Sequence, residues 1–307
     1  MTQRTLHIGT RGSPLALWQA EHVRDLLQTG GFSGDIEIDV FSTAGDRIAD
    51  RPLREFGGKG LFTKEIDDAL LSGSIDLAVH SMKDLPTELP AGMIIAAIPE
   101  RGDVRDAFIS NQANSLADLP EGALVGTASL RRQAQVKRLR PDLKTDTFRG
   151  NVQTRLRKLE EGKADATLLA YAGLIRLGLT EHAACVIEPE EMLPAVGQGA
   201  LGVACRSDDQ EVIDWLAPLH HRPTEIAISC ERAFLARLDG SCRTPIAGLA
   251  ELAGHRITFR GMILKPDGSE WFETSREGEH IHAAQLGTDA AAELLERAGP
   301  DFLVELD

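Results

Sequence analysis

Between Thr127 and Lys158 the chain carries ten Lys/Arg residues and only two acidic ones, Asp142 and Asp146. In a chain of net charge −14 such a concentration of one sign is not needed for solubility, and it points to a site. Its most informative part is Thr127-Ala128-Ser129-Leu130-Arg131-Arg132, which puts two arginines in the first turn of a helix. The helix dipole favours cations least at that end, so a bound anion is an attractive explanation for both arginines. Arg149-Gly150-Asn151 opens the next helix, with Arg155 one turn in, and both groups follow strand signals. Arginine holds carboxylate through paired charged hydrogen bonds, each contributing about 1.5–3 kcal/mol away from water. The ordinary alternative is a solvated helix face. That is the expectation for Lys137, Arg138, Arg140, Arg157 and Lys158.

Val79-His80-Ser81-Met82-Lys83-Asp84-Leu85-Pro86 places Asp84 just beyond the end of a strand, where catalytic groups of open α/β sheets gather. Taken alone, an Asp beside a Lys also reads as a surface ion pair. Cys242 lies in Leu238-Asp239-Gly240-Ser241-Cys242-Arg243-Thr244-Pro245, a loop after a helix C-terminus. With no His near it in sequence, a turnover nucleophile of the papain type is unsupported. Cys185, Cys205 and Cys230 are widely spaced, and buried thiols are expected. No CxxC pair or zinc-ligand spacing occurs, so no metal is expected.

Three further stretches carry less. Gly197-Gln198-Gly199-Ala200-Leu201-Gly202 fits GxGxxG, but Leu193-Pro194 precedes it and a strand-like run follows. Dinucleotide binding needs the opposite order, so a hinge or close-packed connection is expected. Gly57-Gly58-Lys59-Gly60 lacks Walker spacing and reads as a loop whose Lys59 is able to swing over a ligand. His220-His221 reads as a solvated linker.

These residues need a scaffold. Ser13-Pro14 is an N-cap followed by proline, and Leu15, Trp18, Val23, Leu26 and Leu27 continue as a helical stripe to Gly30-Gly31. Strand signals at 36–40, 75–79 and 93–98 alternate with helices, which indicates βαβ units and a parallel sheet. A second α/β block follows Gly102, with a strand at Leu124-Val125 and another at Ala166–Ala170, and 201–204 returns to the first sheet. From Thr224, read as a cap, the pattern changes to a helix, then strands at 257–264 and 271–274 joined by Lys265-Pro266-Asp267-Gly268, then a helix. The expected fold class is therefore α/β plus α+β, the last part a small antiparallel sheet. No internal repeat is visible.

The 307 residues suit two or three domains, and 42% hydrophobic with 26% charged residues is ordinary globular composition. No apolar run approaches the roughly 20 residues of a membrane span, and Met1–His7 lacks a secretory h-region. A cytoplasmic protein without membrane or nucleic-acid partners is expected, given the acidic charge and 5% aromatics.

Taken together, these stretches resemble the porphobilinogen deaminase (hydroxymethylbilane synthase) family. The likeness runs from Thr10-Arg11-Gly12-Ser13-Pro14-Leu15-Ala16 through the segments quoted above to Gly240-Ser241-Cys242-Arg243-Thr244-Pro245-Ile246. It includes Arg149-Gly150-Asn151-Val152, Ala172-Gly173-Leu174-Ile175-Arg176-Leu177-Gly178 and Leu193-Pro194-Ala195-Val196-Gly197-Gln198-Gly199-Ala200. The family's usual Gly-Gly-Cys is Gly-Ser-Cys here, and its Ser-Ser after Gly-Thr is Ala128-Ser129. The resemblance implies two periplasmic-binding-protein-like α/β domains, 1–99 with 200–217 and 100–199, and a smaller α+β domain at 218–307. It implies a transferase of tetrapyrrole (haem or chlorophyll type) biosynthesis, condensing four porphobilinogens head-to-tail into hydroxymethylbilane with loss of ammonia. It implies a dipyrromethane cofactor on Cys242, Asp84 as the catalytic residue, and a monomer. Arg11, Ser13, Lys83, Thr127, Ser129, Arg131, Arg132, Arg149 and Arg155 would hold substrate and cofactor carboxylates, with Arg176 receiving the incoming ring. The rival reading is a non-catalytic cytosolic anion-binding module of the same two-domain architecture, which would keep the arginines but not need Cys242.

Overall fold

Ser13 caps the first helix as its position before a proline suggests, its Oγ accepting the Ala16 N–H at 3.3 Å. Proline supplies the fixed φ of the first helical position, and Gly30 and Gly31 end the helix, Gly31 at φ 101°. The computed structural model describes residues 4–47, 63–238, 245–299 and 302. In chain order the elements begin with β1 (Leu6–Arg11), α1 (Pro14–Thr29), β2 (Ile36–Phe41), α2 (Ala44–Arg47), α3 (Lys64–Leu71), β3 (Leu77–Ser81) and β4 (Met93–Ala97). The middle gives β5 (Asp106–Ser110), β6 (Leu124–Gly126), α4 (Leu130–Leu139), β7 (Lys144–Asp146), α5 (Val152–Glu160), β8 (Ala166–Ala170), α6 (Tyr171–Leu177) and β9 (Cys185–Ile187). The chain continues with β10 (Leu201–Arg206), α7 (Gln210–Leu216) and α8 (Arg222–Arg237). It closes with β11 (Ile246–Ala253), β12 (Arg256–Leu264), β13 (Trp271–Glu279) and α9 (Ala283–Ala298).

The described residues divide into two compact units: those up to 102 with 200–225, and 103–199 with those from 226 on. The first unit holds one sheet, order β2-β1-β3-β10-β4, over a core that includes Leu6, Ile8, Val23, Leu77, Val79 and Val203. The second holds a five-stranded sheet, β7-β6-β8-β5-β9, and a three-stranded antiparallel sheet, β11-β12-β13. The fold class is thus α/β with a smaller antiparallel α+β part. The two five-stranded sheets share one topology. With the antiparallel strand set aside, β10 in one and β5 in the other, the first strand of each lies between the second and third, and the antiparallel strand separates the third from the fourth. That repeat is one of connectivity, and the sequence does not display it.

Several expectations change. Both sheets are mixed: β5 is entered from β4 of the first unit and β10 from β9 of the second, neither through a crossover helix within its own sheet, and both run antiparallel to their neighbours. The buried stripe of α1 is Ala16, Gln19, Ala20, Val23 and Leu27, while Trp18 stacks half-buried on His22. Helix α8 starts at Arg222, so Thr224 is inside it, and its Oγ1 accepts from the Arg101 N–H at 3.1 Å. His220 is no solvated linker: its Nδ1 accepts the Ile98 N–H at 3.3 Å. Among the basic residues expected on solvated faces, Lys137 donates to the Leu143 carbonyl and Arg138 stacks on Trp271. Arg140 donates to the Leu116, Ala117 and Leu119 carbonyls, and Lys158 to that of Arg149. Arg157 is exposed, at 65% of its side chain. Strands β5, β9 and β11 and helix α7 carried too short or too uniform a pattern to read from sequence. Among the described residues no helix is long and apolar enough to cross a membrane.

The three-stranded sheet packs on α8 and α9 through Phe234, Phe259, Ile263, Ala290 and Leu294. Gly287 lets α9 approach α8 closely, since a Cβ there would lie 2.0 Å from the Cys230 carbonyl oxygen. Alanine would gain about 1 kcal/mol of helix propensity. The clash is with backbone, which cannot rotate away, so overpacking of about 3 kcal/mol outweighs that gain. Gly287→Ala should therefore lower the urea midpoint, and an unchanged or raised midpoint would show that the helices separate freely.

Candidate functional site

In the first unit the predicted site residues Arg11, Ser13, Lys83 and Asp84 lie at the carboxyl ends of β1 and β3. Thr10 Oγ1 donates to the Ala16 carbonyl at 3.1 Å and pins the corner between β1 and α1, where Arg11 and Ser13 lie. Beyond β3 the chain makes one 3-10 turn, Met82–Asp84, anchored by buried Met82 and Leu85 and by the Met82 N–H donating to the Ala200 carbonyl at 3.0 Å. Arg11, Ser13, Gln19, His80, Ser81 and Asp84 line one cavity of about 70 Å³. Lys83 belongs to the same turn. Gln19, 3% exposed, donates from Nε2 to Ser81 Oγ at 2.8 Å and fixes that hydroxyl.

His80 is 5% exposed and its Nε2 is buried with no hydrogen-bond partner. Burial, reinforced by the Arg11 charge, pushes its pKa down to about 4. The imidazole is therefore neutral at physiological pH and adds no positive charge to the cavity it shares with Asp84.

In the second unit the predicted cations lie at the carboxyl ends of three adjacent strands, β7, β6 and β8, where ligands of open sheets bind. Thr127 and Ser129 form the corner after β6: Thr127 Oγ1 accepts from the Ser129 N–H at 3.2 Å, and Ser129 Oγ caps α4 through the Arg132 N–H at 3.4 Å. Arg149, Asn151 and Arg155 follow β7. Asn151 caps α5 through the Thr154 N–H at 2.9 Å, and Arg155 Nε donates to the Gly150 carbonyl at 2.8 Å. Burial lowers the Arg149 pKa. Arg176 on α6, after β8, donates to the Gly199 carbonyl at 2.6 Å, and burial pushes it down to about 10.

Arg131 and Arg132 are 4% and 5% exposed, and an internal anion faces them. Asp106, wholly buried at the start of β5, lies 2.8 Å from Arg131 Nη2 and accepts from Arg132 Nη2 at 2.7 Å. Gln198 Nε2 donates to the same carboxylate at 2.9 Å. Burial alone would raise the Asp106 pKa, but the two guanidiniums and the Gln198 amide outweigh it and hold the carboxyl below its ordinary range. The cations at the start of α4 therefore do not require a bound ligand to be present. With two guanidiniums and one carboxylate the cluster still carries one net positive charge, and Arg131 Nε, though buried, has no hydrogen-bond partner.

Asp106, Gln198, Gln19 and His80 are the site residues that sequence reasoning missed. Asp106 had one signal, a charged residue opening the apolar run Ala107-Phe108-Ile109. Cys242 and Lys59 lie outside the described residues. Burial pushes the Cys205 thiol up to about 11 and that of Cys230 to about 12, so neither is a ready nucleophile.

Two family models match the chain. One, described as porphobilinogen deaminase, dipyromethane cofactor binding domain, covers residues 6–214, and the porphobilinogen deaminase C-terminal domain covers 226–296. The chain is 58% identical over 297 residues to the porphobilinogen deaminase of Nitrobacter winogradskyi, across 96% of this chain and 94% of that one. It is 56% identical to that of Paracoccus denitrificans, across 98% and 96%. To the chloroplastic porphobilinogen deaminase of Pisum sativum it is 55% identical, across 97% and 83%.

The depressed pKa of His80 makes stability depend on pH. Between pH 6.5 and about 4 the unfolded chain binds a proton that the folded one refuses. The stability carried by neutral His80 is thus present above pH 6.5 and lost as pH falls toward 4, up to about 3 kcal/mol. Urea melts across that window should show wild type losing more stability than His80→Asn. Parallel losses would mean that His80 ionises freely in the fold.

Proposed function

The chain belongs to the porphobilinogen deaminase family and is a deaminating transferase of tetrapyrrole biosynthesis, and we propose that Asp84 is its catalytic residue and Cys242 the anchor of its dipyrromethane. Four porphobilinogens are joined head-to-tail into hydroxymethylbilane with release of ammonia. The observation that carries the assignment of Asp84 is its place beside Arg11, Ser13 and neutral His80 on one small cavity at the carboxyl ends of β1 and β3.

Porphobilinogen carries an acetate, a propionate and an aminomethyl group on a pyrrole. Asp84 accepts hydrogen bonds from the aminomethyl ammonium and the pyrrole N–H. The C–N bond breaks, its electron pair leaves with ammonia, and the positive charge spreads over the pyrrole as an azafulvenium cation. A fixed carboxylate balances that charge where it develops, which is the larger part of its contribution. Arg11 and Ser13 hold the substrate's carboxylates on the same side.

The second unit suits a polycarboxylate. Two linked pyrroles bring four carboxylates, and the start of α4 offers one net positive charge and the unpartnered Arg131 Nε. Thr127, Ser129, Arg131, Arg149 and Arg155 hold the dipyrromethane and the growing chain, with Arg132 completing the charge of the same site, while Arg176 receives the incoming ring, with Lys59 and Lys83 as further contacts. Bound through Cys242, the dipyrromethane supplies the pyrrole α-carbon on which substrate units are joined. A permanent thioether needs no base beside the cysteine, which agrees with the loop's lack of a histidine. The division into domains at 1–99 with 200–217, 100–199 and 218–307 belongs to the same proposal, and the three sheets support it. A non-catalytic anion-binding module has no support, since both family models and the curated relatives are deaminases.

Purified protein should release four ammonia per tetrapyrrole, and its intact mass should exceed the sequence mass by two pyrrole units. Cys242→Ser should lack that adduct. An active but unmodified wild type would remove the anchor. Arg131→Leu and Arg132→Leu should leave apoprotein, while Arg176→Leu should keep the adduct and slow turnover by about tenfold or more, the scale of one lost charged contact. Arg157→Gln is the control. Normal loading in the first two would contradict the carboxylate site at the start of α4.

A further inference from the structure

The two neighbouring arginines of α4 differ in how completely the protein uses them. All three nitrogens of Arg132 are engaged internally: Nε and Nη2 on Asp106 Oδ1 at 3.2 and 2.7 Å, and Nη1 on the Leu168 carbonyl at 2.9 Å. Arg131 places Nη1 on the Leu193 carbonyl at 2.9 Å and Nη2 against Asp106 Oδ2 at 2.8 Å. Its Nε is left over, buried and without a partner. A buried donor left unmade is costly, and native proteins rarely keep one without use for it.

We propose that Asp106 is the positioning residue of this site: it holds Arg132 as an internal counter-charge and turns Arg131 so that its Nε receives one ligand carboxylate. The inference rests on the reading that the start of α4 holds acetate or propionate groups. It divides the labour there. Arg131 touches the ligand, whereas Arg132 and Asp106 act through it.

The charges make the division testable. With Asp106 ionised the three side chains sum to plus one, which suits a single carboxylate. Asp106→Asn makes the sum plus two and turns an amide N–H toward one guanidinium, donor against donor. Arg132→Met makes the sum zero, leaving Asp106 to satisfy Arg131 alone. The double variant Asp106→Asn/Arg132→Met returns to plus one, and the Asn oxygen is free to face Arg131 Nη2. Gln198, the remaining donor on Asp106, is neutral and unchanged throughout.

Intact mass of the four purified proteins reads the fraction carrying the two-pyrrole adduct, and wild type in the same series separates a failure here from a failure of the underlying reading. Each single variant should lose adduct by about tenfold or more, and the double variant should regain a substantial part, a coupling characteristic of one physical unit. Full loading of folded Asp106→Asn would overturn the proposal. So would a double variant no better than its parents, which is the outcome if Arg132 itself grips the ligand or if Asp106 only stabilises the fold. If the single variants do not fold, arginine Nε–H resonances of wild type and of Cys242→Ser decide the matter. The Arg131 signal should differ between the loaded and unloaded proteins while that of Arg132 stays, and equal shifts in both would contradict the assignment.

Discussion

One buried carboxylate, Asp106, is the constraint on which the second unit's proposed binding surface depends. Placing two guanidiniums at 4% and 5% exposure without a counter-charge would not be tolerated, because removal of one partner from a buried pair costs about 3–5 kcal/mol. Asp106 satisfies both, and in doing so ties the first residue of β5 to the first turn of α4. The connection 193–199 is held to the same cluster: the Leu193 carbonyl accepts from Arg131 and Gln135, and Gln198 donates to Asp106. On its other side, buried Glu231 of α8 accepts the Gly197 and Ala250 N–H groups at 2.7 and 2.9 Å. The Gly199 carbonyl then positions Arg176. A literal GxGxxG thus serves as a rigid frame for cations, with Gly197 and Gly199 at φ 73° and 86°.

The shared topology of the two five-stranded sheets explains where the functional groups fall. In each, the first strand runs into a helix capped by a serine, Ser13 in one and Ser129 in the other. In each, the third strand ends in a turn that carries charge: Asp84 after β3, and Arg176 on the helix after β8. Equivalent corners thus differ in chemistry: a carboxylate with Arg11, Lys83 and a neutral imidazole in one unit, and a cluster of guanidiniums in the other. A cation forming during deamination needs the first kind of corner, and a chain gaining two carboxylates per added ring needs the second.

Much of this was legible in the sequence because local chemistry and tertiary structure agree. Ser13-Pro14, Leu130 and Asn151 mark helix starts that the structure keeps. The basic segment pointed to the site because its charge made no sense as a solubility device, and the turn after His80 because it follows the carboxyl end of a strand. What stayed hidden depends on partners far away in sequence. Asp106 meets Arg132 across 26 residues and Gln198 across 92, and no periodicity reports such a meeting. The antiparallel direction of β5 and β10 was hidden for the same reason, since each is entered from the other unit and its own residues do not report its neighbours. Trp18 misled because its size suggested core, whereas its place on α1 puts it beside His22.

The central claim is that the charge of Asp84 stabilises the transition state for ammonia loss, and a single-turnover measurement tests it most directly. Loaded Asp84→Asn and Asp84→Glu proteins, mixed with one equivalent of porphobilinogen, are followed for ammonia release. Asn preserves size and hydrogen bonding but removes the charge, so release should fall by about a hundredfold or more, while Glu, with its charge displaced, keeps weak activity. Ammonia release by the Asn protein at close to the wild-type rate would remove Asp84 from the mechanism.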